Sequence, residues 1–116
     1  AKLLSAPQVK RLPLLMEYGQ HRLDMACRLV EQDKPELAVT TLLKAHSYLM
    51  QSVDEVIETK QMSRAPALLV QLKSFLEVCR DLKSQINLAD KSSFEDIMSQ
   101  NASAHSRLEQ LLKTEH

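Results

Sequence analysis

At 116 residues the chain has room for one domain; a domain of that size hides roughly two-thirds of the surface its unfolded form exposes, enough for a core without metal or disulfide support. Fifteen Lys and Arg balance fifteen Asp and Glu, interspersed along every segment, so the basic stripe that displaces counterions from phosphates is missing and nucleic-acid binding is not expected. One Gly, no Trp, two Tyr and two Phe point away from strands and toward helices around an aliphatic core.

The chain opens with Leu3 and Leu4, then Ser5, Ala6 and Pro7, which reads as an arm over residues 1–7 and a short turn to about residue 12. Pro13 removes a helical hydrogen bond and kinks an interior turn, so the first long helix is expected from about 13 to 32. Its apolar seam is Leu12, Met16, Gly19, Leu23, Ala26 and Val30. Gly19 weakens the helix by up to about 1 kcal/mol relative to Ala, but on the apolar face its small size admits a close neighbour. Glu17, His21 and Asp24 share the outer face. A solvated charged surface is the simpler reading of that trio and a metal site the sharper one.

Asp33-Lys34-Pro35-Glu36 is the clearest punctuation: Asp33 as cap, Pro35 in the first turn and Glu36 at the positive end of the next helix. The linker is short enough to demand an antiparallel pair. The second helix is expected over about 35–59, with the seam Val39, Leu42, His46, Leu49, Val53 and Val56. His46 interrupts that seam, either as a neutral core histidine or as a ligand or pH sensor. Ser63-Arg64-Ala65-Pro66 forms the next break, and a third helix of about 66–89 carries Leu68, Leu72, Phe75, Cys79, Leu82, Ile86 and Ala89. Asp90-Lys91-Ser92-Ser93 reads as the last break, with Ser92 or Ser93 capping a fourth helix of about 93–114. Its apolar set of Phe94, Ile97, Met98, Ala104, Leu108, Leu111 and Leu112 is interrupted by Gln100, Asn101, Ser103 and His105. Loose packing, or a register-fixing polar contact, would account for that interruption.

Four helices on short links predict an all-α, antiparallel up-down-up-down four-helix bundle in a single domain. Apolar residues outside the narrow seams, among them Leu15, Leu29, Leu43, Met50, Ile57, Leu69 and Leu76, suit helices that each touch two neighbours. They also suit a surface kept for a partner or a homodimer. No apolar run approaches the roughly 18 residues needed to cross a bilayer. A chain that begins with Ala rather than Met is expected to be a processed product or an excised fragment.

Catalytic signatures are missing. One glycine cannot build a phosphate-cradling loop, and no Cys-x-x-Cys, His-Glu-x-x-His or nucleophile elbow occurs. Glu17 stands four residues before His21, not the three of the di-iron bundle signature. No catalytic, cofactor-binding or metal-ligating residue is therefore assigned. Cys27 and Cys79 read as two small apolar side chains, with a bridge between the first and third helices as the alternative.

Arg22-Leu23-Asp24-Met25-Ala26-Cys27-Arg28-Leu29-Val30-Glu31 leads into Lys34-Pro35-Glu36-Leu37-Ala38, then Thr41-Leu42-Leu43-Lys44-Ala45 and Tyr48-Leu49. Over about residues 10–58 this resembles a small bacterial helical-hairpin family of unknown function, often found in exported proteins. Its pattern is an Arg-Leu-x-x-Ala helix, a Lys-Pro-Glu-x-Ala turn and a second helix ending in Tyr-Leu. The resemblance implies an extracytoplasmic setting and no activity or cofactor. The same segment is similar to one tetratricopeptide unit through Ala26, Glu36, Ala38 and Ala45, but the helices are long for a 34-residue repeat and no second copy follows. The expected function is a non-enzymatic interaction or structural module, part of a larger protein, that meets a protein partner or a second copy of itself. The alternative is a ligand- or metal-sensing bundle using His46 with Cys79 or His105.

Overall fold

The computed structural model describes residues 8–86 and 88–114, with side chains over 11–86 and 91–114. The 1–7 arm and the side chain of Ala89 lie outside the described residues. Four α-helices follow one another: α1 Gln8–Glu31, α2 Pro35–Thr59, α3 Ala65–Lys83 and α4 Leu88–Thr114, with a short 3-10 turn at Met62–Arg64 and no strand among the described residues. The chain is an all-α four-helix bundle.

Two of the expected boundaries move. α1 starts at Gln8 and runs through Pro13, where a turn was expected. Proline at the sixth helical position removes one backbone bond, to the Val9 carbonyl. Leu12 and Leu15 on either side of it are fully buried, and their packing outweighs that loss. The last break also falls earlier than Asp90–Ser93, after Lys83, where Ser84 closes α3 and the Gln85 amide donates to the Leu82 carbonyl at 2.9 Å. Ser92 and Ser93 are exposed residues within α4, not caps. Phe94 directly after them is fully buried, and this anchor keeps a polar stretch helical.

Asp33 ends α1 instead of capping α2. It adopts a left-handed φ of 59°. The Lys34 amide donates to Leu29 O at 2.9 Å and the Asp33 amide to Val30 O at 3.1 Å, the paired bonds of a Schellman stop. Lys34 then precedes α2 without a side-chain cap, and Pro35 takes the first helical position, as expected. Lys60, with φ 55°, closes α2 in the same left-handed conformation.

Cross-helix pairs fix the directions. Arg11 meets Glu55 at 3.6 Å and the Tyr18 and Tyr48 rings lie 5.6 Å apart, so α1 and α2 run antiparallel. His46 meets Gln100 and Asp54 meets Arg107, so α2 and α4 run the same way. Asn101 reaches Leu72 and Glu95 reaches Lys83, so α3 opposes α4. α2 and α3 form the central pair, with α1 on one side and α4 on the other, each packed on both. The principal extents are 41 × 32 × 20 Å, a flattened body about two helices thick.

The seams read from the sequence are the core. Leu12, Leu23 and Ala26 of α1, Leu42, Leu49 and Val53 of α2, Leu68, Leu72, Phe75, Cys79 and Leu82 of α3, and Phe94, Ala104 and Leu108 of α4 are all essentially inaccessible to solvent. Gly19 marks the closest approach: a Cβ built on it would lie 3.3 Å from Leu49 Cδ2 and 3.5 Å from Tyr48 Cβ. Of the apolar residues outside the seams, Leu15 is buried and Leu29, Met50, Ile57 and Leu69 pack against the core. Leu37, Leu43 and Val70 remain exposed, at 56, 41 and 66%.

Candidate functional site

Apart from the Arg11–Glu55 pair, whose carboxylate is buried with Oε1 unpartnered, polar side chains meet the bundle in two places. The first is the junction of α2, α3 and α4. His46 Nε2 lies 2.9 Å from Gln100 Oε1, and its ring packs on Phe75 with centroids 5.6 Å apart. With the amide oxygen as acceptor, the imidazole carries its proton on Nε2, which leaves Nδ1 a bare acceptor. Nδ1 is buried with no partner. Burial pulls the His46 pKa below its ordinary value, and the bond to Gln100 opposes that only in part. One position along α4, the buried Asn101 donates from Nδ2 to the Leu72 carbonyl at 3.3 Å. Asn101 therefore ties α4 to α3, in keeping with the register-fixing reading. His105 faces outward and pairs with Glu109 one turn on.

The second place is a groove of about 450 Å³ between α1 and α3, lined by Pro13, Met16, Glu17, Gln20, His21, Asp24 and Gln71. α4 lies on the far side of the central pair and does not roof it. Glu17, His21 and Asp24 are exposed, as expected of a solvated face, but they form one rim of this groove. Gln71 is only 9% exposed and belongs to a chain of bonds with fixed polarity. Asp24 Oδ1 accepts from Gln20 Nε2 at 2.9 Å. Gln20 Oε1 accepts from Gln71 Nε2 at 3.2 Å, and the same Nε2 donates to the Met16 carbonyl at 2.9 Å. A carboxylate and a carbonyl only accept, so both amides are oriented, and Gln71 Oε1 is left buried with no donor.

Cys27 lies one helical turn beyond Asp24. Its thiol pKa is raised first by burial and then by the Asp24, Glu31 and Asp81 carboxylates. The α1 edge and α3 thus bring four carboxylates (Glu17, Asp24, Glu31 and Asp81) to one side, and no ion pair engages them among the described residues. Cys27 and Cys79 are both free, which removes the bridge. Burial pushes the Cys79 thiol up to about 12, so it behaves as an apolar core atom. No group of three or more His, Cys, Asp or Glu converges as a metal set among the described residues, and His46, Cys79 and His105 do not meet as one.

Sequence reading singled out His46, Glu17, His21 and Asp24 and marked Gln100 as an interruption of the α4 face, but missed Gln71 and the partnership of Gln100 with His46. Gln71 was within reach: Leu68, Gln71, Phe75, Val78 and Leu82 keep alternating spacings of three and four, so a polar residue stands in a core stripe. The pairing of Gln100 with His46 carries no such mark, because it depends on how α4 is rotated against α2. The chain matches no protein-family model, no curated protein and no solved structure.

Proposed function

We propose that this chain is a non-catalytic helical interaction module within a larger protein. The observation that carries this reading is the use made of the interior polar side chains. His46 reaches α4, Asn101 reaches α3 and Gln71 reaches α1, so each connects two helices instead of converging on a reaction centre. Apolar side chains are left outside at Leu37, Leu43 and Val70, and none of the described helices is long and apolar enough to cross a membrane. The likeness of residues 10–58 to exported helical hairpins supports an envelope setting.

The test is a photo-crosslinking amino acid placed in turn at Leu37, Leu43 and Val70 in the full-length protein in cells, with light scattering of the purified chain across concentration. The expected result is discrete adducts from one face and not the others, to a partner chain or to a second copy. Adducts from no position, together with a monomer at every concentration, would contradict the proposal.

A second reading rests on the orphaned Nδ1 of His46, which makes the α2–α3–α4 junction a candidate pH-sensing point. A stability profile unchanged by His46→Gln would dispose of it.

A further inference from the structure

At the level of His46 the bundle is held by polar contacts more than by apolar ones. Between Ile97 and Leu108 the side chains that α4 buries are Asn101 and Ala104, with Met98 half-buried beside them. One amide and one methyl thus anchor about three turns of helix. α2 and α3 bury a larger apolar side chain on nearly every turn. Among the described residues, α4 is tied to the other helices by the His46–Gln100 bond, the Asn101 bond to the Leu72 carbonyl, and the ion pairs Asp54–Arg107 and Lys83–Glu95. Both ion pairs lie open to solvent and hold little.

His46 sits where this packing is thinnest. Its Nε2–H is committed to Gln100, so a second proton must go to Nδ1, which has no partner and is closed off from solvent. With α4 in place, the new N–H is a buried donor without an acceptor, and the ring a buried charge without a counterion. The groups that face the ring are uncharged: Phe75 from α3 and Gln100 from α4. Phe75 attracts a cation only weakly, far less than the lost hydration costs. The charged residues nearest in sequence, Lys44 on α2, Lys73 and Glu77 on α3 and Asp96 on α4, are all exposed. Burial and the Gln100 bond are what set the titration of the ring, and no carboxylate stands ready to hold an imidazolium.

From these observations we propose that α4 is an acid-released helix: a proton taken up on His46 Nδ1 parts the stretch from Ile97 to Leu108 from α2 and α3, baring Phe75 and the α4 seam around Ala104. This deepens the pH-sensing reading of the junction and rests on it, adding which element moves. Released, the ring is hydrated and titrates near its ordinary value of about 6.5. Docked, it is held lower. Docking is therefore at full strength above about pH 6.5 and weakens as pH falls toward the docked-state value. The opening is local because the interlocked α1, α2 and α3 keep their own core. His105, also on α4, pairs with Glu109 of the same helix and so ties α4 to nothing else.

The experiment is native-state amide hydrogen exchange of the intact chain at about pH 7.5 and about pH 5, each rate divided by its intrinsic value at that pH. Protection from Ile97 to Leu108 should fall about three- to thirtyfold, the upper figure being the ceiling for a ring that titrates at about 6.5 when released. α1 from Leu12 to Ala26 should keep its protection. His46→Gln should abolish the fall. Gln100→Glu, at an exposed position, should shrink or reverse it, because a carboxylate accepting from Nε2–H favours the imidazolium with α4 in place. His105→Gln should leave the fall intact. Should His46→Gln fail to fold, Gln100→Glu decides alone. Protection of α4 that does not change with pH overturns the inference. An equal fall over all four helices, removed by His46→Gln, overturns it too but leaves the pH-sensing reading standing. A fall that neither variant reduces overturns both.

Discussion

Gly19 offers the sharpest test of how the bundle is put together, because two effects of known size oppose each other there. Replacing an interior helical glycine with alanine removes backbone freedom from the unfolded chain and favours the helix by about 1 kcal/mol. At this site the new methyl would stand 3.3 Å from Leu49 Cδ2 and 3.5 Å from Tyr48 Cβ. Leu49 is fully buried, so its methyl can yield only by displacing further core atoms. The required shift is small, and Gly19→Ala should come out within about 1 kcal/mol of wild type. Gly19→Val pushes two further carbons into the same gap. Overpacking typically costs about 1–3 kcal/mol, against a helix gain over glycine of only about 0.5 kcal/mol. The net loss of about 0.5–2.5 kcal/mol lowers Tm by roughly 2–10 °C in a domain this size. Leu49→Ala made together with Gly19→Val should cost at least about 1 kcal/mol less than the two changes summed, since the valine methyls fill the vacated space. Thermal and urea unfolding followed by circular dichroism give all four values. If Gly19→Val equals or exceeds wild type in stability, or if the double change is additive, the close crossing of α1 and α2 at this residue is wrong.

Burial holds the folded-state pKa of His46 below its unfolded value, so the fold prefers the neutral ring. Its contribution is fully present above about pH 6.5 and declines as pH falls through that value toward the lower folded-state one. Subtracting the profile of His46→Gln from that of the wild type isolates this slope, and a difference flat from about pH 5 to 7.5 would refute it. Lys60→Gly should stabilise by about 1 kcal/mol, because Lys60 holds φ 55° where glycine has no steric penalty; Asp33→Gly should gain less, since Asp tolerates this conformation better. With both cysteines free and Cys79 buried, mass spectrometry after alkylation without reductant should show two adducts in denaturant. Under native conditions it should show at most one, at Cys27. Phe75→Ala should cost about 3–5 kcal/mol and, by loosening the ring against His46, should bring the His46 pKa back toward its ordinary value by NMR titration.

The existence and faces of all four helices could be read from the sequence, because core positions at alternating three- and four-residue spacings leave a helix no other way to hide them. Boundaries were harder. Pro13 and the Asp90–Ser93 quartet carry strong local signals for a break, yet Leu12, Leu15 and Phe94 pack tightly enough to keep the helix going past both. The real break at Ser84–Gln85 has neither Gly nor Pro to announce it. At Asp33 the local chemistry was right for a helix terminus but assigned to the wrong helix, since Asp both caps and tolerates the left-handed turn. In the groove, the charged outer face of α1 carrying Glu17, His21 and Asp24 was visible in the sequence. What could not be read was that α3 lies beside it and supplies Gln71, a long-range pairing across 55 residues that depends on how the helices are arranged.

The measurement that tests the interaction-module reading most directly is photo-crosslinking in cells from Leu37, Leu43 and Val70, the large apolar side chains left exposed on the bundle, with the exposed polar Ser93 as control. The account predicts discrete adducts from at least one apolar position and none from Ser93. Adducts from no apolar position, or equal yields from all four, would contradict it.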